Sequence, residues 1–190
     1  MAERAKNMRQ LLIEAGIEEI NRAGVTDFSV RRVATACGVS CAAPYKHFKD
    51  KREFIAAIID YVNAQWRERQ DQILAGCGGD LRRQIVEVGV GYLAFRLEKP
   101  WFRPVLMLKD AEFDNLYHKA RGQMSSRSQQ LQERFFAESG WEPDRIRRKL
   151  HIVRAILFGT VFLIDAGELP CDAAVLETVR IAVDREFDLQ

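Results

Sequence analysis

Apolar residues recur along most of the chain at intervals of three and four, and runs of strict apolar/polar alternation bounded by turns do not occur, so the pattern predicts an all-α protein. From about Glu3 to Arg22, Met8, Leu11, Leu12, Ala15 and Ile20 share one face, and Gly24 supplies the stop. A short second helix starts after the cap residue Ser29. It places Val30, Val33, Ala34 and Cys37 at i, i+3, i+4 and i+7, leaving Arg31, Arg32 and Thr35 off the stripe. Gly38 then makes a turn, and Ser40 can cap a third, very short helix to about Lys46. Asp50 can cap a long fourth helix, with Glu53 completing a capping box and Phe54, Ile58, Tyr61, Val62 and Gln65 following at helical spacing.

The cluster Gly76, Gly78, Gly79 is the clearest linker in the chain. Beyond it the periodicity predicts helices over about Leu81–Leu97, Trp101–Leu108, Phe113–Ser139, Asp144–Ala166 and Asp172–Phe187, punctuated by Pro100, Pro143, Gly167 and Pro170. The expected architecture has about nine helices. Residues 1–52 form an N-terminal three-helix domain, residues 53–190 a C-terminal helical domain, and the fourth helix, from about residue 50, links them.

Composition narrows the class. With 190 residues, 47% of them hydrophobic and 29% charged, the chain can bury a substantial core. Met1 to Arg9 is polar and charged, unlike a signal peptide, and the densest apolar run, Ala155 to Ile164, is shorter than the roughly 18 residues a spanning helix needs. A cytoplasmic protein without a membrane span is expected. Cys37, Cys41, Cys77 and Cys171 form neither a CxxC pair nor a metal-finger spacing with histidine, so reduced thiols, no metal and no cofactor are expected. The net charge of +2 is unevenly shared: residues 1–52 hold ten Lys or Arg against six Asp or Glu, and the remainder is net acidic. The basic end is the one suited to a polyanion.

Two short helices joined through a glycine turn, the first amphipathic and the second too short to stand alone, make a helix-turn-helix whose second helix enters the major groove. The segment Phe28 to Phe54, FSVRRVATACGVSCAAPYKHFKDKREF, closely resembles the DNA-binding signature of the TetR family of transcriptional regulators. The match runs through Gly38 to Ser40, Ala42, Ala43, Tyr45, Lys46, His47, Phe48 and Lys51. It covers about the first 60 residues, and the rest of the chain agrees in length and helical plan. The stretch AILFGTVFLIDAGEL, Ala155 to Leu169, also resembles one common C-terminal subclass.

The resemblance implies that Arg31, Ser40, Cys41, Ala42, Ala43, Tyr45, Lys46, His47 and Lys51 face DNA. Physical reasons agree. The small side chains of Cys41, Ala42 and Ala43 allow close approach to base edges, and alanine methyls suit a thymine methyl. Pro44 falls early enough in the helix for its missing N–H to do little harm. Tyr45, Lys46 and His47 supply a hydroxyl, an ammonium and an imidazole N–H for phosphate oxygens, and Lys51 adds an anchor beside the free N–H groups of the fourth helix. Each has a plainer alternative: Tyr45 and Phe48 as core aromatics, His47 as a structural histidine, and Lys46, Lys51 and Arg31 as a solvated face. Val30 and Cys41 depart from the usual residues of the family, so no base preference carries over.

In the C-terminal part, Tyr92, Arg96, Trp101, Met107, Tyr117, His151 and Phe158 are candidates for a pocket that takes a small, apolar or aromatic effector. For each, a core role is the competing reading. The last two helices have wide apolar faces, Ile156, Leu157, Val161 and Ile164 on one and Val175, Leu176, Val179, Ala182 and Val183 on the other, which fit a helix-pair homodimer interface. A dimer would set two reading helices roughly 34 Å apart, or a multiple of that, on a palindromic operator. The function expected is a ligand-responsive DNA-binding regulator, a repressor released by its effector.

Two rivals remain. A redox signal at Cys37 and Cys41, four residues apart across the turn, could replace the ligand, since a helix N-terminus lowers a thiol pKa. An enzyme on a helical scaffold is the remote alternative: His47, His118 and His151 lie in unrelated contexts, and neither a nucleophile-base grouping nor a phosphate loop occurs.

Overall fold

Every regular element among the described residues, 2–99 and 114–189 of this computed structural model, is helical, as the spacing predicts. The helices are α1 (Ala2–Ala23), α2 (Val30–Ala36), α3 (Lys51–Ala75), α4 (Leu81–Glu98), α5 (Asp114–Ser139), α6 (Pro143–Asp165) and α7 (Ala173–Arg185), with a single 3₁₀ turn, Pro44–Lys46, between α2 and α3. Among the described residues seven α-helices thus stand, where about nine helices were expected along the whole chain. The helix expected at Trp101–Leu108 lies outside the described residues. The expected third helix is a 3₁₀ turn, for a local reason. Pro44 has no N–H to donate to the carbonyl of Ser40, and that carbonyl accepts instead from Ala43, at 2.9 Å. Lys46 N–H to Ala43 and His47 N–H to Pro44 continue the i→i+3 pattern at 3.1 and 2.9 Å. The side chain of Ser40 makes no cap here, and Ala43 occupies the cap position.

The chain forms two compact units. One holds residues 2–65 and 114–123, the other Trp66–Lys99 and residues 124–189.

In the first unit the predicted stops at Gly24 and Gly38 and the predicted caps at Ser29 and Asp50 are present. Gly24 and Gly38 take φ of 75° and 65°, a left-handed turn that a side chain resists. Ser29 Oγ accepts from Arg32 N–H, and Asp50 Oδ1 accepts from Glu53 N–H at 2.8 Å. Glu53 reaches back to Lys49 N–H at 2.7 Å, one residue ahead of the cap. The core is built from Leu12, Ile13 and Ile20 of α1, Val30, Val33 and Ala34 of α2, and Phe54, Ile55, Ile58 and Val62 of α3. Gly16 lets α1 approach α3, since a Cβ there would stand 2.7 Å from Ile58 Cδ1. The apolar face of α1 is therefore rotated from the expected one: Ile13 is buried and Leu11 is exposed.

In the second unit, Val86, Val90 and Leu93 of α4 pack with Val161 of α6 and Val179 and Val183 of α7, ringed by Ile156, Leu157 and Leu176. Ion pairs clamp the ends: Arg82 to Asp184 at 2.7 Å, Arg180 to Glu87 at 2.9 Å, and the buried Lys149 to Glu186 at 3.1 Å. The stripes expected to form a dimer interface are thus largely spent within the subunit, because α4 brings an apolar face of its own that covers them. What α6 and α7 leave exposed are other residues, Ile152, Phe158, Phe162 and Ile181.

Candidate functional site

Three aromatic rings underlie the turn between α2 and α3. Phe48 is 2% exposed and stacks on Phe54 with centroids 4.0 Å apart, and Phe28 meets Phe54 edge-on at 5.4 Å. Phe48 is therefore a core residue, and the guanidinium of Arg9 lies over its outer face, 5.2 Å from the ring centroid. Pro44, also buried, anchors the 3₁₀ turn beside it. Because Phe48 and Pro44 point inward, the residues around them are pushed out. Tyr45 is 56% exposed, and Ser40, Cys41, Ala42 and Lys46 are exposed, while Ala43 and His47 are half-buried. A phenol this exposed has no packing role, which removes the core-aromatic alternative for Tyr45.

Arg31 is exposed on α2. Lys51 differs: half-buried at the start of α3, its Nζ donates to the carbonyl of Thr26 at 3.0 Å and ties α3 to the loop before α2. Cys37 and Cys41 are both free thiols, but burial pushes the Cys37 thiol up, and its Sγ faces the carbonyl of Leu11 at 3.8 Å. Burial thus disfavours the thiolate that a redox exchange would need at Cys37.

One organising residue escaped the sequence reading. Glu19 of α1 is 6% exposed, yet it is ionically engaged: Oε1 accepts from Arg32 Nε at 2.6 Å and from Ser29 N–H at 3.3 Å, and Oε2 accepts from Arg22 Nη2 at 2.9 Å. Burial by itself would raise this carboxyl, but the hydrogen bonds and charges of Arg32 and Arg22 prevail and hold it below its ordinary value. Since Ser29 is the α2 cap, this carboxylate fixes the start of α2 against α1. The glutamate and its Arg32 partner are thirteen residues apart, beyond the reach of any local pattern.

Of the expected pocket residues, three come together in the second unit. The guanidinium of Arg96 lies 5.7 Å from the Tyr92 ring centroid and 5.3 Å from that of Phe158, and the two rings are 6.4 Å apart. Trp66 of α3, unremarked in the sequence reading, closes the group with centroids 5.6 Å from Tyr92 and 5.3 Å from Phe95. Burial pushes the Tyr92 hydroxyl up, against the opposing pull of Arg96, so it stays a neutral phenol. His151 is exposed and makes no contact with this group. Trp101 and Met107 lie outside the described residues, as does the side chain of Tyr117. Among the described residues no cluster of three His, Cys, Asp or Glu could hold a metal, and no helix is long and apolar enough to cross a membrane.

Residues 12–58 match the family model of bacterial regulatory proteins, tetR family. No curated protein matches the chain significantly. Among solved structures, the chain is similar to a TetR family transcription regulator from Marinobacter aquaeolei VT8, with a TM-score of 0.74 at 17% identity over 98% of each chain. It is similar to the fatty acid degradation regulator FadR from Bacillus halodurans, at TM-score 0.71 and 15% identity over 93% of this chain and 94% of that one. It is also similar to the TetR family transcriptional regulator PfmR from Thermus thermophilus, at TM-score 0.65 and 16% identity over 93% and 97%. At these identities the likeness establishes the fold, and the family match is confined to residues 12–58: the chain has the fold of these regulators, and its N-terminal segment matches the model of bacterial regulatory proteins, tetR family.

Proposed function

We propose that this protein is a transcriptional repressor that grips a palindromic operator as a homodimer and is released by a small apolar or aromatic effector. The observation that carries the reading is the turn around Pro44. A rigid aromatic base, Phe48 on Phe54, displays Tyr45 and Lys46 to solvent, flanked by the small residues Cys41 and Ala42. Rigid scaffolding beneath exposed hydrogen-bonding and cationic groups is what phosphate positioning requires, and small residues beside them permit approach to base edges. Arg31 extends the basic surface, with Ser40, Ala43 and His47 at its margin. Lys51 serves first to hold Thr26 and would reach a phosphate only by exchanging that carbonyl for it.

The homodimer uses Ile152, Phe162 and Ile181, apolar side chains that α6 and α7 leave exposed away from the Arg96 group, led by Phe162 at 69%. Release works by population shift. Effector binding among α4, α6 and the second half of α3 favours one position of α3, whose first half belongs to the DNA-binding unit. The effector acts by no more than its differential affinity for the two states. Binding chromosomal DNA places the protein in the cytoplasm, and no step of this reading is catalytic.

Selection of genomic fragments by the purified protein, followed by footprinting, tests the proposal. The expected product is an inverted repeat with half-sites about one helical turn apart, or a multiple of it. Enrichment of single half-sites or direct repeats contradicts the dimeric repressor.

A further inference from the structure

Arg96 is 5% exposed, and its Nε has no hydrogen-bond partner. Its guanidinium is flanked by the faces of Tyr92 and Phe158, and among the described residues no carboxylate meets it. Three other cations of this unit are neutralised in place: Lys149 by Glu186, Arg82 by Asp184 and Asp188, Arg180 by Glu87. An arginine cannot shed its proton, so a cation is held in low dielectric with only ring quadrupoles and the neutral Tyr92 hydroxyl to offset the loss of water. Gln70, one turn along α3 from Trp66, is buried at 1% exposure, and its Nε2 likewise has no partner. Two unsatisfied donors thus lie on the two helices, α3 and α4, that pack around Trp66, Tyr92 and Phe95.

We infer that the effector of this protein is an organic acid, an aromatic or aliphatic body carrying one carboxylate, and that Arg96 is the counter-ion of that carboxylate. The inference rests on the effector-released reading above and adds the charge of the ligand to it. The rings of Trp66, Tyr92 and Phe158 take the apolar body. The Tyr92 hydroxyl, kept neutral by burial, is a donor on the same side of α4 as Arg96, one turn away. The guanidinium then gains charge-assisted hydrogen bonds, one of them at the Nε that has no partner. A neutral effector can offer Nε an acceptor but leaves the charge of the guanidinium unmatched, so the site discriminates by charge more than by shape.

Thermal denaturation of the full-length protein tests this with benzoate, indole-3-acetate and a series of straight-chain fatty acids, each beside its primary amide. At least one acid is expected to raise Tm in a dose-dependent way and to bind roughly ten- to hundred-fold more tightly than its amide. Arg96→Met should erase that preference without lowering the ligand-free Tm, since it removes an unpaired charge, and Arg96→Lys should retain part of it. The inference is overturned if amides stabilise as well as acids, if no acid binds, if Arg96→Met keeps the preference, or if Arg96→Met alone lowers Tm by several degrees. Operator release is scored separately. An acid that stabilises the protein and leaves the operator bound supports the site and defeats the repressor reading. Neutral amides that release the operator do the reverse.

Discussion

Replacing Glu19 by Gln is the most informative single perturbation of the DNA-binding unit, because one buried carboxylate joins three donors that come from α1, from the α2 cap and from α2 itself. Gln keeps the shape but offers one acceptor oxygen instead of two and turns an NH₂ toward the remaining donors. Hydrogen bonds to a charged group contribute about 1.5–3 kcal/mol. Arg22 is 61% exposed and Arg32 48%, so solvent screening takes most of the value of the first and part of the second. A net cost of about 2 kcal/mol follows, the larger part from Arg32 and Ser29. With a urea dependence of about 2 kcal/mol per molar, the midpoint should fall by about 1 M when unfolding is followed by far-UV circular dichroism at neutral pH.

The pH dependence checks the mechanism. A carboxyl held below its ordinary value in the folded state binds a proton less readily there than in the unfolded chain. Its stabilisation is therefore complete above the unfolded value, about pH 4 to 5, and is lost as pH falls through the lower folded value. The gap between wild type and Glu19→Gln should be full at neutral pH and close in acid. A cost below about 0.5 kcal/mol, or a gap that does not change with pH, refutes the argument that this carboxylate organises α2.

Other predictions address separate parts of the account. Phe48→Ala removes a ring sandwiched between Phe54 and Arg9 and should cost about 3–5 kcal/mol in denaturation, abolishing DNA binding through loss of the unit rather than loss of a contact. Gly38→Ala meets nothing within 4 Å but forces a side chain to φ of 65°, so a cost of about 1–2 kcal/mol should be read as a lowered Tm. Phe162→Arg, at a position 69% exposed in the single chain, should leave the thermal stability of the isolated subunit within about 0.5 kcal/mol, while light scattering shows the mass falling from dimer to monomer. An unchanged dimer would place the interface elsewhere.

What the sequence made legible was local. The caps at Ser29 and Asp50 and the stops at Gly24 and Gly38 each depend on residues within a few positions of one another, and all are present. Around Pro44, the proline and the buried Phe48 fix which neighbours must face out, so Tyr45 and Lys46 stand exposed. The same proline converts the expected third helix to a 3₁₀ turn, a consequence of the missing N–H that helical spacing alone does not reveal. Periodicity on α6 and α7 reported correctly that they have apolar faces, and Val161, Val179 and Val183 are buried against α4 within the chain. A stripe names the side that is buried and not what buries it. Glu19 with Arg32, Lys51 with Thr26, and Trp66 with Tyr92 are contacts across thirteen or more residues, set by how helices pack, and no spacing rule encodes them. Arg96 was legible as a polar residue on an apolar helix, but the orphaned Nε became visible only in three dimensions.

The central claim, that the exposed turn at Tyr45 and Lys46 reads DNA, is tested most directly by fluorescence anisotropy on the DNA upstream of its own reading frame. Wild type and a Tyr45→Ala, Lys46→Ala double variant are compared across a salt series. The account predicts tight wild-type binding that weakens linearly on a log–log plot of affinity against salt. The double variant, intact in its circular dichroism because both side chains are exposed, should bind more weakly with a shallower slope. Equal affinity and equal slope for the two proteins would contradict it.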